Sequence, residues 1–431
     1  MPEDLLPGLH EIIKSALQQS PPILKKNIEL ILAEASSLQQ ASGLWPSLGS
    51  DASYGANRAV SVNQNNSSSS IQSGFNFNLW FNQPLYHWGT LKDRAEIGKI
   101  GVKLAERDYA DAAQGLINSL RGQYLGLIIN KVSLRNARVA LQQAEASLKV
   151  EEEKLKAGQI SPNAIGPANL QVAEMRLQCD RVAEAYEQAK RNFVRLSGLK
   201  SFDEASLPET IPHPLLAAPP VAALISRFLH DGIEKTREAR AFQLAIRNAD
   251  LEYRIAKYGL YPKFNLGASV SQYINSNIYN DTVTQETILT ERVGLNVGWT
   301  IFDGFSTRAN KMSSLASKRL AERGYQTYLE SKADQVRDLG RQIDFSWRSL
   351  DLIGTRLSMS EGSLKLLQDN LALGLASEVE VASAALGHYQ LELSMLNSRI
   401  ECFMRWSEFV SLLGIDPALN NLPSRFLDHG N

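Results

Sequence analysis

The chain has 431 residues, with 45 Lys and Arg against 46 Asp and Glu and a formal net charge of −1. That balance provides no basic field for collecting nucleic acid, which needs clustered Lys and Arg. No run of about 18 apolar residues occurs, so a transmembrane helix is excluded; a transmembrane β-barrel, whose strands need about 9–11 residues of alternating polarity, is not.

The opening Met1-Pro2-Glu3-Asp4 has neither a basic start nor an apolar core behind it, so no signal peptide is expected in these residues. A helix is expected over 23–42. Trp45-Pro46 stops it, because a residue before proline is pushed out of the helical region. A strand follows at 44–55, then a polar, flexible loop at 56–73 containing Asn63-Gln64-Asn65-Asn66 and four serines. The strand at 74–86 has a clear period of two. Phe75, Phe77, Leu79 and Phe81 alternate with Asn76, Asn78, Trp80 and Asn82.

A helical hairpin is expected over 90–198. Its first helix, about 91–157, would extend on the order of 100 Å at ~1.5 Å per residue, a length that indicates coiled-coil packing. Gly158 suits a left-handed C-terminal position. Ser161-Pro162 reads as a cap followed by proline at the first helical position. Gly98, Gly101, Gly115, Gly122 and Gly126 each weaken this helix by about 1 kcal/mol relative to alanine, which implies close helix approach in return. A proline-rich link at 199–220 follows.

The order then repeats. Leu104-Ala105-Glu106-Arg107 returns as Leu320-Ala321-Glu322-Arg323, and Glu145, Ser147, Leu148 and Lys149 return as Glu361, Ser363, Leu364 and Lys365, each 216 positions on. An offset this long signals two halves of one architecture, 1–198 and 221–414, rather than a solenoid. The second half contains a helix at 221–258, a strand at 260–273, a loop at 274–290, a strand at 291–302 and a hairpin at 305–414. In the last strand Val293, Leu295, Val297, Trp299 and Ile301 alternate with Arg292, Gly294, Asn296 and Thr300. Gly374 ends the long helix, and Ser377-Glu378-Val379-Glu380 fits a capping box. The tail, 415–431, is expected along the surface.

The fold class is therefore mainly α with a small β part and an internal two-fold repeat. Four strands cannot close a barrel alone, and open edges are not tolerated in lipid, so several chains must pool their strands. The polar face (Asn76, Asn78, Asn82, Arg292, Asn296) would line water and the apolar face would meet lipid. Trp45, Tyr86, Trp88, Tyr261 and Phe302 would form aromatic girdles. His87 and Asp303, equivalent under the offset, are expected to make local turn hydrogen bonds. Cys179 and Cys402 are expected unpaired. No metal, phosphate-binding or nucleophile motif occurs, so no catalysis, cofactor or metal is expected.

Taken together, these residues resemble the TolC-like outer-membrane efflux family. The likeness rests on Trp45-Pro46-Ser47-Leu48 and Tyr261-Pro262-Lys263-Phe264, and on the strand-to-helix junctions at Gln83–Gly89 and Trp299–Gly304. The Gly-x-x-Ser hairpin tips and the Leu-Ser-Gly and Leu-Leu-Gly helix ends at 196–198 and 412–414 complete it. The resemblance implies a homotrimer with a twelve-stranded outer-membrane barrel and a periplasmic α-barrel of long antiparallel hairpins. The implied role is passive exit duct of a tripartite export system, served by a periplasmic adaptor and an inner-membrane transporter. The family's tip constriction would fall at Glu380, with Ser383 where some members place a second carboxylate and Glu378 elsewhere on the turn. The family's tip latch falls on Leu371, Ala376 and Ala164, so that latch is absent. The alternative is a soluble periplasmic coiled-coil scaffold whose strands merely dock a partner.

Overall fold

A computed structural model describes residues 1–63, 66–214, 221–279 and 282–426. In chain order the elements are α1 (Pro2–Leu5), α2 (Pro7–Gln19), α3 (Pro21–Ser42), β1 (Ser47–Asn63), β2 (Asn66–Tyr86), α4 (Thr90–Lys156) and α5 (Gly166–Ser197). There follow α6 (Val221–Arg227), α7 (Arg237–Lys257), β3 (Lys263–Tyr279), β4 (Thr282–Gly298), α8 (Ser306–Ala372) and α9 (Glu378–Leu412). Three pairs repeat at the spacing seen in the sequence: β1 with β3, the starts of β2 and β4, and α4 with α8 each lie 216 positions apart.

The chain forms two compact units. One comprises Met1–Glu29, Glu106–Arg240 and Gln326–Asn431; the other comprises Leu30–Ala105 and Ala241–Tyr325. The first unit is helical. Its core joins Leu9, Ile13 and Ala16 of α2, Ile117, Leu120, Leu125 and Ile128 of α4, Phe193 of α5 and Phe403 of α9. Buried leucine and isoleucine at helical spacing drive this assembly, at ~25 cal/mol per Å² of apolar surface removed from water. The link contributes Leu207 and Ile211 to the same core, and its residues 215–220 lie outside the described set. Among the described residues no helix is long and apolar enough to cross a membrane. Cys179 is half-buried, Cys402 buried, and both are free.

In the second unit the four strands make one antiparallel sheet in the order β1-β2-β3-β4. Here the structure corrects two expectations. The polar stretches at 56–73 and 274–290 are not loops: β1 and β2 pair from Ser47↔Asn82 to Asn63↔Asn66, and β3 and β4 from Lys263↔Gly298 to Tyr279↔Thr282. Polar composition reported solvent around the chain, not its conformation; Ser, Thr and Asn keep a backbone ladder as long as both partners stay extended. Gln64 and Asn65 of the expected loop, and 280–281 of the second, lie outside the described residues. The last strand also ends earlier than expected. Trp299 and Ile301 lie beyond the ladder, which stops at Gly298.

A third correction concerns the tail, expected along the surface. Asp416, Ala418, Leu419 and Leu422 are buried, and Phe426 stacks on Tyr109 at 4.1 Å between ring centroids. Residues 427–431 of that tail lie outside the described set.

Candidate functional site

The strand register decides which side chains share a face, because successive residues point to opposite sides. Trp80 pairs with Ser269, and Ser269 with Arg292; Asn78 pairs with Ser271, Asn82 with Gly267, and Asn265 with both Pro84 and Asn296. Asn76, Asn78, Asn82, Arg292 and Asn296 therefore all fall on one face. The opposite face carries Leu48, Ala52 and Tyr54, then Phe75, Phe77, Leu79 and Phe81, then Ala268 and Val270, then Val293, Leu295 and Val297. Asn78 Nδ2 donates to Asp51 Oδ1 at 3.2 Å on the polar side. Trp80 also sits there, its indole lying over Gly49, where a Cβ would come within 2.4 Å of the ring.

The ladder shifts between Pro84 and Tyr86, a bulge at a residue with no N–H to donate. Just past it the aromatic cluster forms. Trp88 Nε1 donates to the Pro262 carbonyl at 2.8 Å, its ring meets Tyr86 and Tyr261 edge-on at 5.0 and 4.9 Å, and it stacks on Tyr258 at 6.3 Å. Trp88 is thus half-buried, whereas Trp45, Tyr86, Tyr261 and Phe302 are exposed. His87 and Asp303 part ways. The Asp303 carboxylate accepts the Thr307 N–H at 2.8 Å, a local helix cap, but His87 Nε2 meets Asn265 Oδ1 of β3 at 2.9 Å, a contact from another strand.

The two hairpin turns lie in the helical unit. At both, the glycine ending the long helix is left-handed, with φ 69° at Gly158 and 71° at Gly374. The N–H groups that follow close back on the helix, from Gln159 to the Lys154 carbonyl at 2.9 Å and from Leu375 to the Asn370 carbonyl at 2.8 Å. The restarts differ. Ser377 Oγ accepts the Glu380 N–H at 3.2 Å, while a Glu380 carboxylate oxygen accepts the Ser377 N–H at 2.8 Å, a complete capping box. Ser161 makes no such side-chain bond, because Pro162 opens a short 3₁₀ turn through Ile165 before α5 begins. Ser383 lies one turn beyond Glu380; both are exposed, as is Glu378. The hydrogen bonds from Ser377 hold the Glu380 carboxyl below the usual carboxylate value. Around it the turn exposes Leu373, Leu375 and Val379 at 72, 75 and 70%.

Sequence reasoning missed the most buried charge among the described residues of the helical unit. Arg121, 0% exposed, donates to Glu3, to both carboxylate oxygens of Asp416 at 2.6 and 2.9 Å, to Ser407 Oγ at 2.6 Å and to Asn118 Oδ1 at 3.1 Å. Burial pulls its pKa down, but the bonds to Asp416 and Glu3 outweigh that and the net direction is up. The available signal was a lone arginine inside the apolar run Leu116, Ile117, Leu120, Tyr124, Leu125. The expected close approach of glycines also holds for part of the set. A Cβ at Gly98 would come within 2.9 Å of Ser37 Cα; one at Gly122 would make only an ordinary contact with the Met404 methyl at 3.4 Å, and Gly101, Gly115 and Gly126 face open space in this chain.

The chain thus combines an amphipathic four-stranded sheet, unpaired at both outer edges among the described residues, with two helices of 67 residues each. Residues 12–199 and 230–399 match the outer membrane efflux protein family, and the chain belongs to it. It is 24% identical over 420 residues to the pyoverdine export outer membrane protein OpmQ of Pseudomonas aeruginosa, covering 91% of this chain and 84% of that one. The crystal structure of the outer membrane protein VceC from Vibrio cholerae shares the fold with a TM-score of 0.68 at 17% identity, over 95% of this chain and 97% of that one. The Campylobacter jejuni CmeC outer membrane channel does so with a TM-score of 0.71 at 16% identity, over 97% and 89%. The chain is an outer-membrane efflux duct, from a family of channels rather than enzymes. The scaffold reading is set aside.

Proposed function

We propose that three copies of this chain pool their sheets into one twelve-stranded barrel in the outer membrane, while their helical hairpins extend a tunnel into the periplasm. The observation that carries this reading is the register: five polar residues on β2 and β4 share one face, the other is mainly apolar, and both edges are unpaired among the described residues. Closing the ring satisfies those edges and gives the polar face to water. The duct itself is passive. An inner-membrane transporter supplies energy and selects cargo, and a periplasmic adaptor joins the two. Leu373, Leu375 and Val379 give the adaptor an apolar surface to cover at the second hairpin turn.

Threefold symmetry would bring three Glu380 carboxylates near the pore axis. Three carboxylates that close oppose one another's ionisation, while the Ser377 hydrogen bonds favour the charged form of each, and the ring attracts cations. In planar bilayers Glu380→Ala is expected to raise single-channel conductance and weaken block by multivalent cations. Unchanged conductance and block would remove Glu380 from the pore. Glu380→Gln separates charge from capping, because its amide oxygen still accepts the Ser377 N–H.

A further inference from the structure

The free edges of the sheet carry opposite charges on matching faces. β1 bears Asp51 on the polar face and Arg58 on the apolar face; β4, at the far edge, bears Arg292 on the polar face and Glu291 on the apolar one. All four side chains are exposed. Arg58, Glu291 and Arg292 form no ion pair among the described residues. A charge on a lipid-facing surface is costly unless it is paired, and Arg58 and Glu291 both lie on the apolar face, one at each edge.

We infer that β4 of one copy pairs antiparallel with β1 of the next, and that Glu291 and Arg292 key this seam against Arg58 and Asp51. The inference rests on the trimeric barrel proposed above and adds its register. Four strands about 4.8 Å apart and tilted about 35–45° advance roughly 13–19 Å along the strand direction, or about four to six residues at ~3.3 Å each. Faces match only for an even shift, so the advance is four or six. Within one chain Ser50, Leu79, Val270 and Glu291 form a straight row across the sheet. Advancing that row sets Glu291 opposite Tyr54 or Ala56 of the next copy. Shifting the other way would set it opposite a residue before Ser47, where β1 has not begun. The direction is therefore fixed by the strands' own ends. A shift of four puts Asp51 diagonally beside Arg292, and a shift of six puts Arg58 diagonally beside Glu291, a separation that long side chains bridge. Either way the other charge pair lies one diagonal step further along, with the same sign relation.

The test is the heat stability of detergent-purified trimers on gels. Exchanging the β4 charges (E291R with R292E) sets like charges across both faces and is expected to lower the temperature at which trimers dissociate. Exchanging the β1 charges (D51R with R58E) is expected to do the same, and combining all four substitutions to restore the wild-type temperature. A β4 exchange without effect, or a fourfold variant no more stable than either double, overturns the inference. Cysteine pairs on the unaltered charge background guard against variants that fail to fold. Val293→Cys with Ala52→Cys reads a shift of four, and Val293→Cys with Tyr54→Cys reads a shift of six. One of the two pairs is expected to give covalent trimers with a short bis-maleimide, and no product from either overturns the register. Wild-type protein that runs as a monomer in mild detergent would instead sink the trimer itself.

Discussion

At the residue scale the most consequential side chain is Arg121. It fastens the N-terminal segment, through Glu3, and the C-terminal segment, through Asp416, to the middle of α4. Removing one partner of a buried ion cluster strands the others, at about 3–5 kcal/mol. Arg121→Ala is therefore expected to lower the unfolding midpoint and to expose residues 415–426 to protease, while wild-type protein resists. Equal resistance in both would mean that the apolar contacts of Ala418, Leu419 and Leu422 hold the segment without the arginine. The contrast with Glu380 shows what is legible at this scale. Its capping box is a local pattern of Ser and Glu three residues apart and could be read directly. The partners of Arg121 lie 118 and 295 residues away, and no spacing rule connects them. The repeat even misleads here, because its counterpart Arg337 is an exposed partner of Asp334 within the same helix.

At the element scale the long helices were legible because apolar periodicity and a terminal glycine both mark them, and α4 and α8 end at Lys156 and Ala372 as that pattern requires. The strand ends were not, since Ser and Asn runs fit either a loop or a solvated ribbon. The packing of α7 on α8 was also invisible. Lys332, nearly buried on α8, is paired with the Glu238 carboxylate on α7, which also accepts the Tyr328 hydroxyl at 3.0 Å. Burial pushes the Glu238 carboxyl up, but Lys332 and Tyr328 outweigh it and the net direction is down. A carboxylate depressed in the folded state contributes stability that is present above its unfolded pKa of about 4.3 and is lost as pH falls through the lower folded value. Glu238→Gln is thus expected to be less stable than wild type at pH 7, with the gap closing below about pH 4. Melting curves at several pH values check this. A gap that stays constant with pH would mean the carboxylate's charge is not what Lys332 needs.

At the scale of the whole molecule, the sheet assigns opposite environments to neighbouring residues, and that assignment can be tested one residue apart. Leu79 and Asn78 are consecutive on β2, Leu79 with the apolar set and Asn78 with the polar one. A lysine on the lipid side of a transmembrane barrel costs about 2–4 kcal/mol near the bilayer midplane, while a lumen substitution tunes selectivity. Leu79→Lys is expected to reduce the folded, membrane-inserted form sharply. Asn78→Lys, beside Asp51, is expected to insert normally and to shift the channel's ion preference toward anions, read as reversal potential in a salt gradient. The same charge added at adjacent positions then separates a lipid wall from a water-lined one. If the two variants insert equally well and conduct alike, the sheet does not divide lipid from water, and its alternation of amides with phenylalanine and leucine serves some other packing.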